Sequence, residues 1–97
     1  MKERKDKEQI DMQQYRVLIV EDDEQIRDGI EIYLKSQGYE VFKAGDGFEG
    51  LEVIRNQEIH LAIIDVMMPR MDGYELLKTI RQEGYDMPFM MLTAKES

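Results

Sequence analysis

The sequence predicts an α/β fold, a doubly wound parallel sheet with helices on its faces. Short apolar runs alternate along the chain with segments whose apolar residues recur at helical spacing. Strands and helices in this alternation form βαβ crossovers, which produce parallel sheets. The chain has 97 residues, of which 42% are hydrophobic, so it can form one domain with a real core.

The first strand is predicted at Arg16–Val20, where the run RVLIV is apolar enough to be covered on both faces. An acidic stretch follows it, and a helix then runs to the stop signal Gly38. The apolar residues of this helix recur at helical spacing: Ile26, Ile30, Tyr33 and Leu34.

The second strand is predicted at Glu40–Ala44, where the run EVFKA is mixed in polarity, as is typical of an edge strand. Asp46 and Gly47 turn the chain into a second helix, which ends near Asn56. One side of that helix carries Phe48, Leu51 and Ile54.

The third strand is predicted at His60–Asp65, a nearly apolar run that ends in a carboxylate. Asp72 can cap the helix that follows, with Glu75 as its capping-box partner three residues later. We expect this helix to end at Gly84 and to bury Leu76, Leu77 and Ile80.

The fourth strand, Phe89–Leu92, has the run FMML, which is typical of an interior strand. Only five residues follow it, so we expect the chain to be truncated, with four strands and three helices. Such an end exposes a strand edge, and we therefore expect a homo-oligomer formed through the fourth strand. Residues 1–14 carry equal numbers of acidic and basic residues with little apolar surface, and they are expected to form a charged tail before a domain at 15–97.

Composition excludes several classes of function. The chain has no cysteine, hence no disulfide or thiolate metal site, and we expect a cytoplasmic protein. Its net charge of −8 argues against non-specific binding of nucleic acid or anionic lipid. No apolar run exceeds four residues, so we expect neither a membrane span nor a signal peptide.

Carboxylates follow two of the predicted strands. Glu21, Asp22 and Asp23 come after the first strand and Asp65 closes the third, at the sheet edge where open α/β sheets bind ligands. If these strands are neighbours, the carboxylates converge and repel each other unless a cation or a proton is present. Hard oxygen ligands favour Mg²⁺. Helix capping is the alternative for Asp22 or Asp23.

Three segments, VLIVEDDE, LAIIDVMMPRMDGYELLKTIR and MLTAK, resemble the receiver domain of bacterial two-component response regulators. The resemblance covers Val17 to Ala94 and implies a flavodoxin-like fold, of which four of the usual five strands and three of the usual five helices are present. The sequence segment LTAK is most similar to that of the subfamily in which a winged-helix DNA-binding domain follows the receiver. DNA would then be bound only through that output domain, which is absent here.

The resemblance implies a role for each matching position. Asp65 would accept a phosphoryl group from a histidine of a sensor histidine kinase. Glu21 and Asp22 would bind Mg²⁺ together with Asp65, and the backbone carbonyl of Met67 would complete the metal site. Thr93 would be the switch hydroxyl that turns toward the phosphoryl group, and Ala94 the small residue that leaves room for it.

The family's fifth strand, with the lysine and proline that follow it, has no counterpart in this sequence. Lys95 is expected to be a solvated lysine and not a substitute for that lysine, and His60 to be structural or at the surface. Five methionines, expected to fill loop and core, are Met67, Met68, Met71, Met90 and Met91.

Two alternative functions stay open on the sequence. One is a non-phosphorylated interaction or assembly module whose acidic rim is vestigial. The other is an aspartyl-nucleophile phosphatase, but such an enzyme needs a second acid two residues after its nucleophile, and Met67 occupies that position. The resemblance thus indicates a phosphoacceptor regulator and not an enzyme.

Overall fold

A computed structural model describes residues 15–93. The predictions for residues 1–14 and for Ala94 and Lys95 lie outside these described residues, and the proposed domain limit near residue 15 stays a prediction. The elements, in chain order, are β1 Arg16–Val20, α1 Glu24–Ser36, β2 Glu40–Ala44, α2 Gly47–Asn56, β3 Leu61–Asp65, α3 Gly73–Gln82 and β4 Phe89–Leu92.

The four strands form one parallel sheet in the order β2-β1-β3-β4. The predicted α/β fold is therefore confirmed. The first and third strands are neighbours, which is the condition for the carboxylates at their ends to converge. β2 lies at one edge of the sheet, as its mixed polarity indicates. β1 is central and its last four residues are buried, as predicted from its apolar run.

The main core lies between the sheet and the helices α2 and α3. Leu18 and Val20 of β1 face this side and pack with Leu51 of α2 and Leu76 of α3. Successive side chains of a strand point to opposite faces, so Val17 and Ile19 face α1. Within residues 15–93 the two faces of the sheet are thus covered unequally, with two helices on one face and one on the other.

Each of the three helices in the described part of the chain begins at an aspartate. Asp23, Asp46 and Asp72 are the N-cap residues, and Asp72 forms the predicted capping box with Glu75. Each side chain accepts hydrogen bonds from backbone N–H groups that the first helical turn cannot satisfy. These local signals explain why the helix starts agree with the sequence-based prediction.

Three details differ from the prediction. The third strand begins at Leu61 and not at His60, because its register with β1 starts with the pair of Val17 and Leu61. Leu77 is only half-buried. No residue of α1 is buried, and Tyr33 is 62% exposed, because no second helix lies beside α1 on its face of the sheet within the described residues.

β4 forms the other edge of the sheet, and within residues 15–93 it pairs only with β3. Phe89 and Met90 are exposed, whereas Met91 packs against the core. Between β4 and α1 an apolar groove of about 560 Å³ opens, lined by Met90 and Leu92 among others. Within residues 15–93 the outer edge of β4 is therefore unpaired, as expected from the sequence.

No helix within residues 15–93 combines the length and the apolar character needed to cross a membrane.

Candidate functional site

Strand pairing brings the predicted carboxylates together. Val20 of β1 pairs with Ile64 of β3, so the residues that follow them, Glu21 and Asp65, lie at the same level of the sheet. One carboxylate oxygen each from Glu21, Asp22 and Asp65 lies within 4.8 Å of the others. The parallel register of two central strands therefore builds the acidic rim that the sequence predicted.

Two of these carboxylates are buried. Glu21 is 4% exposed and Asp65 is 6% exposed, whereas Asp22 is exposed. Burial raises the pKa of Glu21 from its ordinary value of 4.5 to about 7, against a hydrogen bond from the Asp23 N–H, and the nearby Asp65 and Asp22 carboxylates add to the rise. Burial also raises the pKa of Asp65, against a hydrogen bond from the Met67 N–H. In the absence of a cation, the Glu21–Asp65 pair therefore retains a proton more readily than two separate carboxylates do.

The capping alternative applies to Asp23 and not to Asp22. Asp23 Oδ1 accepts hydrogen bonds from the N–H groups of Gln25 and Ile26, at 2.9 and 3.1 Å. The N–H of Asp23 in turn donates to Glu21 Oε2 at 3.0 Å. Asp23 thus starts α1 and orients Glu21, and Asp22 lies between them at the rim.

Thr93 lies at the same site. Leu92 of β4 pairs with Asp65, and Thr93 is the next residue along the strand direction. A cavity of about 230 Å³ is lined by Glu21, Asp65 and Thr93 on its polar side. Its apolar wall, which the sequence did not predict, consists of Ile26, Ile30 and Leu92.

Met67 follows Asp65 in the loop of residues 66–72. Its N–H donates to Asp65 Oδ1 at 3.2 Å, and its side chain is 66% exposed. The backbone of this loop therefore contacts the buried Asp65 carboxylate, while the Met67 side chain points away from the core. At the other end of the loop, a Cβ atom on Gly73 would lie 2.5 Å from the Asp65 carbonyl oxygen, so only glycine fits beside the end of β3.

One positively charged residue at the site was not predicted. Arg27 Nη1 donates to the Glu21 carbonyl oxygen at 2.8 Å, which ties α1 to the end of β1. Nothing in the sequence distinguishes Arg27 from other helix cations, because its contact depends on how α1 lies on the sheet.

His60, Met68, Met71 and Met91 have the structural roles expected of them, whereas Met90 lies exposed in β4 and fills neither loop nor core. His60 Nδ1 accepts a hydrogen bond from the Arg16 N–H at 2.9 Å, and the ring packs edge-on against Tyr15. Met68 is buried in the core, and both Met71 and Met91 pack against it. None of these residues belongs to the acidic rim.

The donor set fits Mg²⁺. Three carboxylates supply hard oxygen atoms, and two of them, Glu21 and Asp65, are buried beside each other. Burial raises the pKa of both, and repulsion adds to the rise, from Asp65 and Asp22 at Glu21 and from Asp22 at Asp65. A divalent cation relieves that repulsion and replaces the retained proton. The exposed position of Asp22 leaves one side of the cluster open to solvent, which suits an ion that keeps part of its water shell.

Residues 17–97 match the response regulator receiver domain family. Among curated relatives, the response regulator MprA of Mycobacterium sp. (strain KMS) is 42% identical over 82 residues, which are 84% of this chain and 36% of the relative. The response regulator RR06 of Streptococcus pneumoniae serotype 2 is 45% identical over 78 residues, 80% of this chain and 36% of that protein. The chain thus spans about a third of the length of the curated relatives it matches.

Solved structures give the same result. The chemotaxis protein CheY4 of Vibrio cholerae superposes with a TM-score of 0.82 at 36% identity, covering 87% of this chain and 72% of that one. The response regulator TrrA of Thermotoga maritima, solved in complex with Mg(2+)-BeF, gives a TM-score of 0.79 at 33% identity, covering 84% and 71%. The predicted flavodoxin-like architecture is confirmed by these neighbours. By sequence and by fold, the chain belongs to the response regulator receiver domain family, the signalling domain of two-component systems and not a classical enzyme.

Proposed function

We propose that this chain accepts a phosphoryl group on Asp65 from a phosphohistidine of a sensor histidine kinase, with Mg²⁺ as cofactor. The observation that carries the proposal is the convergence of Glu21, Asp22 and Asp65 within 4.8 Å at the end of two central strands. In support, the relative TrrA was solved with Mg(2+)-BeF.

In the proposed transfer, an Asp65 carboxylate oxygen attacks phosphorus, the bond from phosphorus to the histidine nitrogen breaks, and the imidazole leaves with its bonding electrons. The product is an acyl phosphate on Asp65. Phosphoryl transfer depends mainly on positioning and on neutralisation of charge. Bound Mg²⁺ would supply that neutralisation, because it attracts both the carboxylate and the phosphoryl oxygens.

We assign the surrounding residues accordingly. Glu21 and Asp22 would hold the metal with Asp65, and the Met67 carbonyl would complete its protein ligands. Thr93 is the proposed switch residue, and its support is that it lines the same cavity as Asp65. The Asp23 and Met67 N–H groups orient the Glu21 and Asp65 carboxylates through the hydrogen bonds described above.

The partners follow from the same proposal. The phosphoryl donor is a sensor histidine kinase, and the location is the cytoplasm. The full-length protein would regulate transcription through an output domain of the winged-helix type. This proposal is supported by the sequence segment LTAK and by relatives that are about three times as long as the matched segment. A homo-oligomer through β4 is also proposed, supported by the exposed edge of that strand.

The experiment is phosphorylation of the 97-residue chain by acetyl phosphate in the presence of Mg²⁺, followed by intact mass. We expect one added phosphoryl group on the wild type and none on Asp65→Asn. Asp86→Asn, which replaces an exposed loop aspartate, is the matched control and should be labelled like the wild type. Turnover of a phosphomonoester would instead indicate a phosphatase. No labelling, together with no chemical-shift change on adding beryllofluoride and Mg²⁺, would favour the assembly module.

A further inference from the structure

Arg70, at the tip of the loop of residues 66–72, has an unusual backbone conformation. Its φ angle is 65°, and it is the only residue other than glycine with a positive φ within the described part of the chain. In this region Cβ crowds the backbone, so an arginine occupies it only when other interactions hold it there. The loop conformation therefore needs a compensating contact.

That contact is an ion pair with Asp46. Arg70 Nη2 donates to Asp46 Oδ2, and the Asp46 side chain is only 18% exposed. The other oxygen, Asp46 Oδ1, accepts from the Glu49 N–H at 2.8 Å as the N-cap of α2. Asp46 is thus fixed by its helix, and the arginine of the loop reaches toward a rigid partner.

A second contact places the loop against the same helix end. A Cβ atom on Gly47 would lie 2.9 Å from Met71 Sδ, so Met71 rests directly on the backbone at the start of α2. On the other side of the tip, the Met67 N–H bonds to Asp65 Oδ1 at 3.2 Å. The segment that touches the buried Asp65 carboxylate is therefore continuous with the segment that is tied to α2.

We propose that Arg70 is a positioning residue for the acidic site: its ion pair with Asp46 holds the loop of residues 66–72 in the conformation that keeps the Met67 main chain beside Asp65. Loss of the pair would let Arg70 return to a negative φ, which rotates the adjoining peptide units. The inference deepens the proposed function and rests on it, because the loop carries a proposed Mg²⁺ ligand.

The size of the expected effect is modest. Met68 is buried and the Gly73 N–H bonds to the Val66 carbonyl oxygen at 3.0 Å, so the loop keeps other restraints. Removing a partly exposed ion pair changes the equilibrium constant of the process that depends on it by a few-fold. We therefore expect the Mg²⁺ dissociation constant to rise by about two- to fivefold when the pair is removed.

The test uses Arg70→Ala, Asp46→Asn and the double variant. Asn keeps an oxygen that can cap α2, so Asp46→Asn removes the ion pair without removing the cap. Mg²⁺ is titrated into the 97-residue chain and followed by backbone amide chemical shifts. Each single variant should bind Mg²⁺ about two- to fivefold more weakly, and the double variant should be no weaker than the singles, because one interaction is lost in all three.

Arg55→Ala is the matched control. Arg55 pairs with Glu83 through two hydrogen bonds of 2.9 and 2.5 Å near the opposite end of α2, so its loss costs a similar ion pair away from the site. Its Mg²⁺ dissociation constant should equal that of the wild type. Arg70→Gly separates strain from pairing: because glycine tolerates a positive φ, this variant should be more stable to heat than Arg70→Ala and should lose less Mg²⁺ affinity than that variant.

A measurement without metal completes the design. Hydrogen exchange of the Met67 amide in chelator should be faster in Arg70→Ala and Asp46→Asn than in the wild type and Arg55→Ala. Wild-type Mg²⁺ affinity and wild-type Met67 exchange in both pair variants would overturn the role of Arg70 and leave the proposed function intact. A wild-type chain with no Mg²⁺-dependent shifts at Asp22 or Asp65 would instead overturn the proposed function and this inference with it.

Discussion

At the scale of single residues, burial separates carboxylates that are adjacent in sequence. Glu21 is buried and has a raised pKa, whereas Asp22, one residue later, is exposed. Their positions relative to the sheet differ: Glu21 directly follows β1 and lies beside Asp65, whereas Asp22 lies in the bend that leads to α1. A buried acid beside another acid stores unfavourable free energy, which a proton or a metal ion can remove.

Glu21 should make the metal-free protein less stable as the pH rises from about 4.5 to about 7. Its pKa is about 7 in the folded state against an ordinary value of 4.5, so in this window the unfolded chain releases a proton that the folded chain retains. The contribution is complete below pH 4.5 and is lost as the pH passes 7. Asp65, with a pKa raised in the same direction, adds to the effect.

The measurement is urea unfolding in chelator at several pH values across this window. Glu21→Gln should remove most of the slope, and Glu24→Gln, which changes an exposed glutamate at the start of α1, should leave it in place. Glu31 and Glu83 have pKa values lowered by their lysine and arginine partners, so their contributions to the pH dependence of stability fall at more acidic pH, below this window. Equal slopes in the wild type and Glu21→Gln would contradict the prediction.

At the scale of secondary-structure elements, the two edge strands differ in how their edges are protected. β2 carries charged residues, and Lys43 forms ion pairs with Asp28 and Glu31 of α1. β4 has the uncharged run FMML, and Phe89 and Met90 are exposed. Unprotected edges of this kind pair readily with other strands, so β4 is the element at which self-association should start.

Replacing Met90 with lysine should shift the 97-residue chain from an oligomer toward a monomer. Met90 is 53% exposed and lines the apolar groove, so a lysine there blunts the edge without entering the core; Met91 packs against the core and is the less suitable position. The readout is light scattering at concentrations of about 100 µM, in the range where exposed edges cause association.

Met90→Leu is the control for this prediction and should remain associated, because it preserves an apolar side chain of similar volume. A monodisperse wild-type monomer with well-protected amides in β4 would show that the exposed edge is tolerated and that the argument is wrong.

At the scale of the whole molecule, the acidic site couples metal binding to folding. Its three carboxylates come from two strands that are distant in sequence, so the site exists only in the folded chain. A ligand that binds only the native state stabilises it by mass action. The net charge of −8 adds a general repulsion that a divalent cation reduces.

Mg²⁺ should therefore raise the thermal midpoint of the chain. At ten times its dissociation constant, a ligand stabilises the native state by about 1.4 kcal/mol, which corresponds to several degrees for a domain of this size. Asp65→Asn should lose this response, since it removes a buried ligand. Sodium chloride at matched ionic strength controls for screening of the net charge, and an equal rise with that salt would show that no specific site is involved.

Much of this protein could be predicted from its sequence by itself, because the relevant signals are local. Apolar runs such as RVLIV, together with the aspartate caps at positions 23, 46 and 72, determine where strands and helices begin. The run HLAIID ends in Asp65. Because this carboxylate closes an apolar strand and does not precede a helix, the sequence by itself indicates that it has no capping role.

Only the tertiary structure decided how the site is assembled and what holds it. Strand order brings Glu21 beside Asp65, and the pairing of β3 with β4 places Thr93 at the same cavity. The contacts of Arg27 with the Glu21 carbonyl and of Arg70 with Asp46 join residues from different elements. Such contacts depend on how helices and loops lie on the sheet, and no local pattern encodes that geometry.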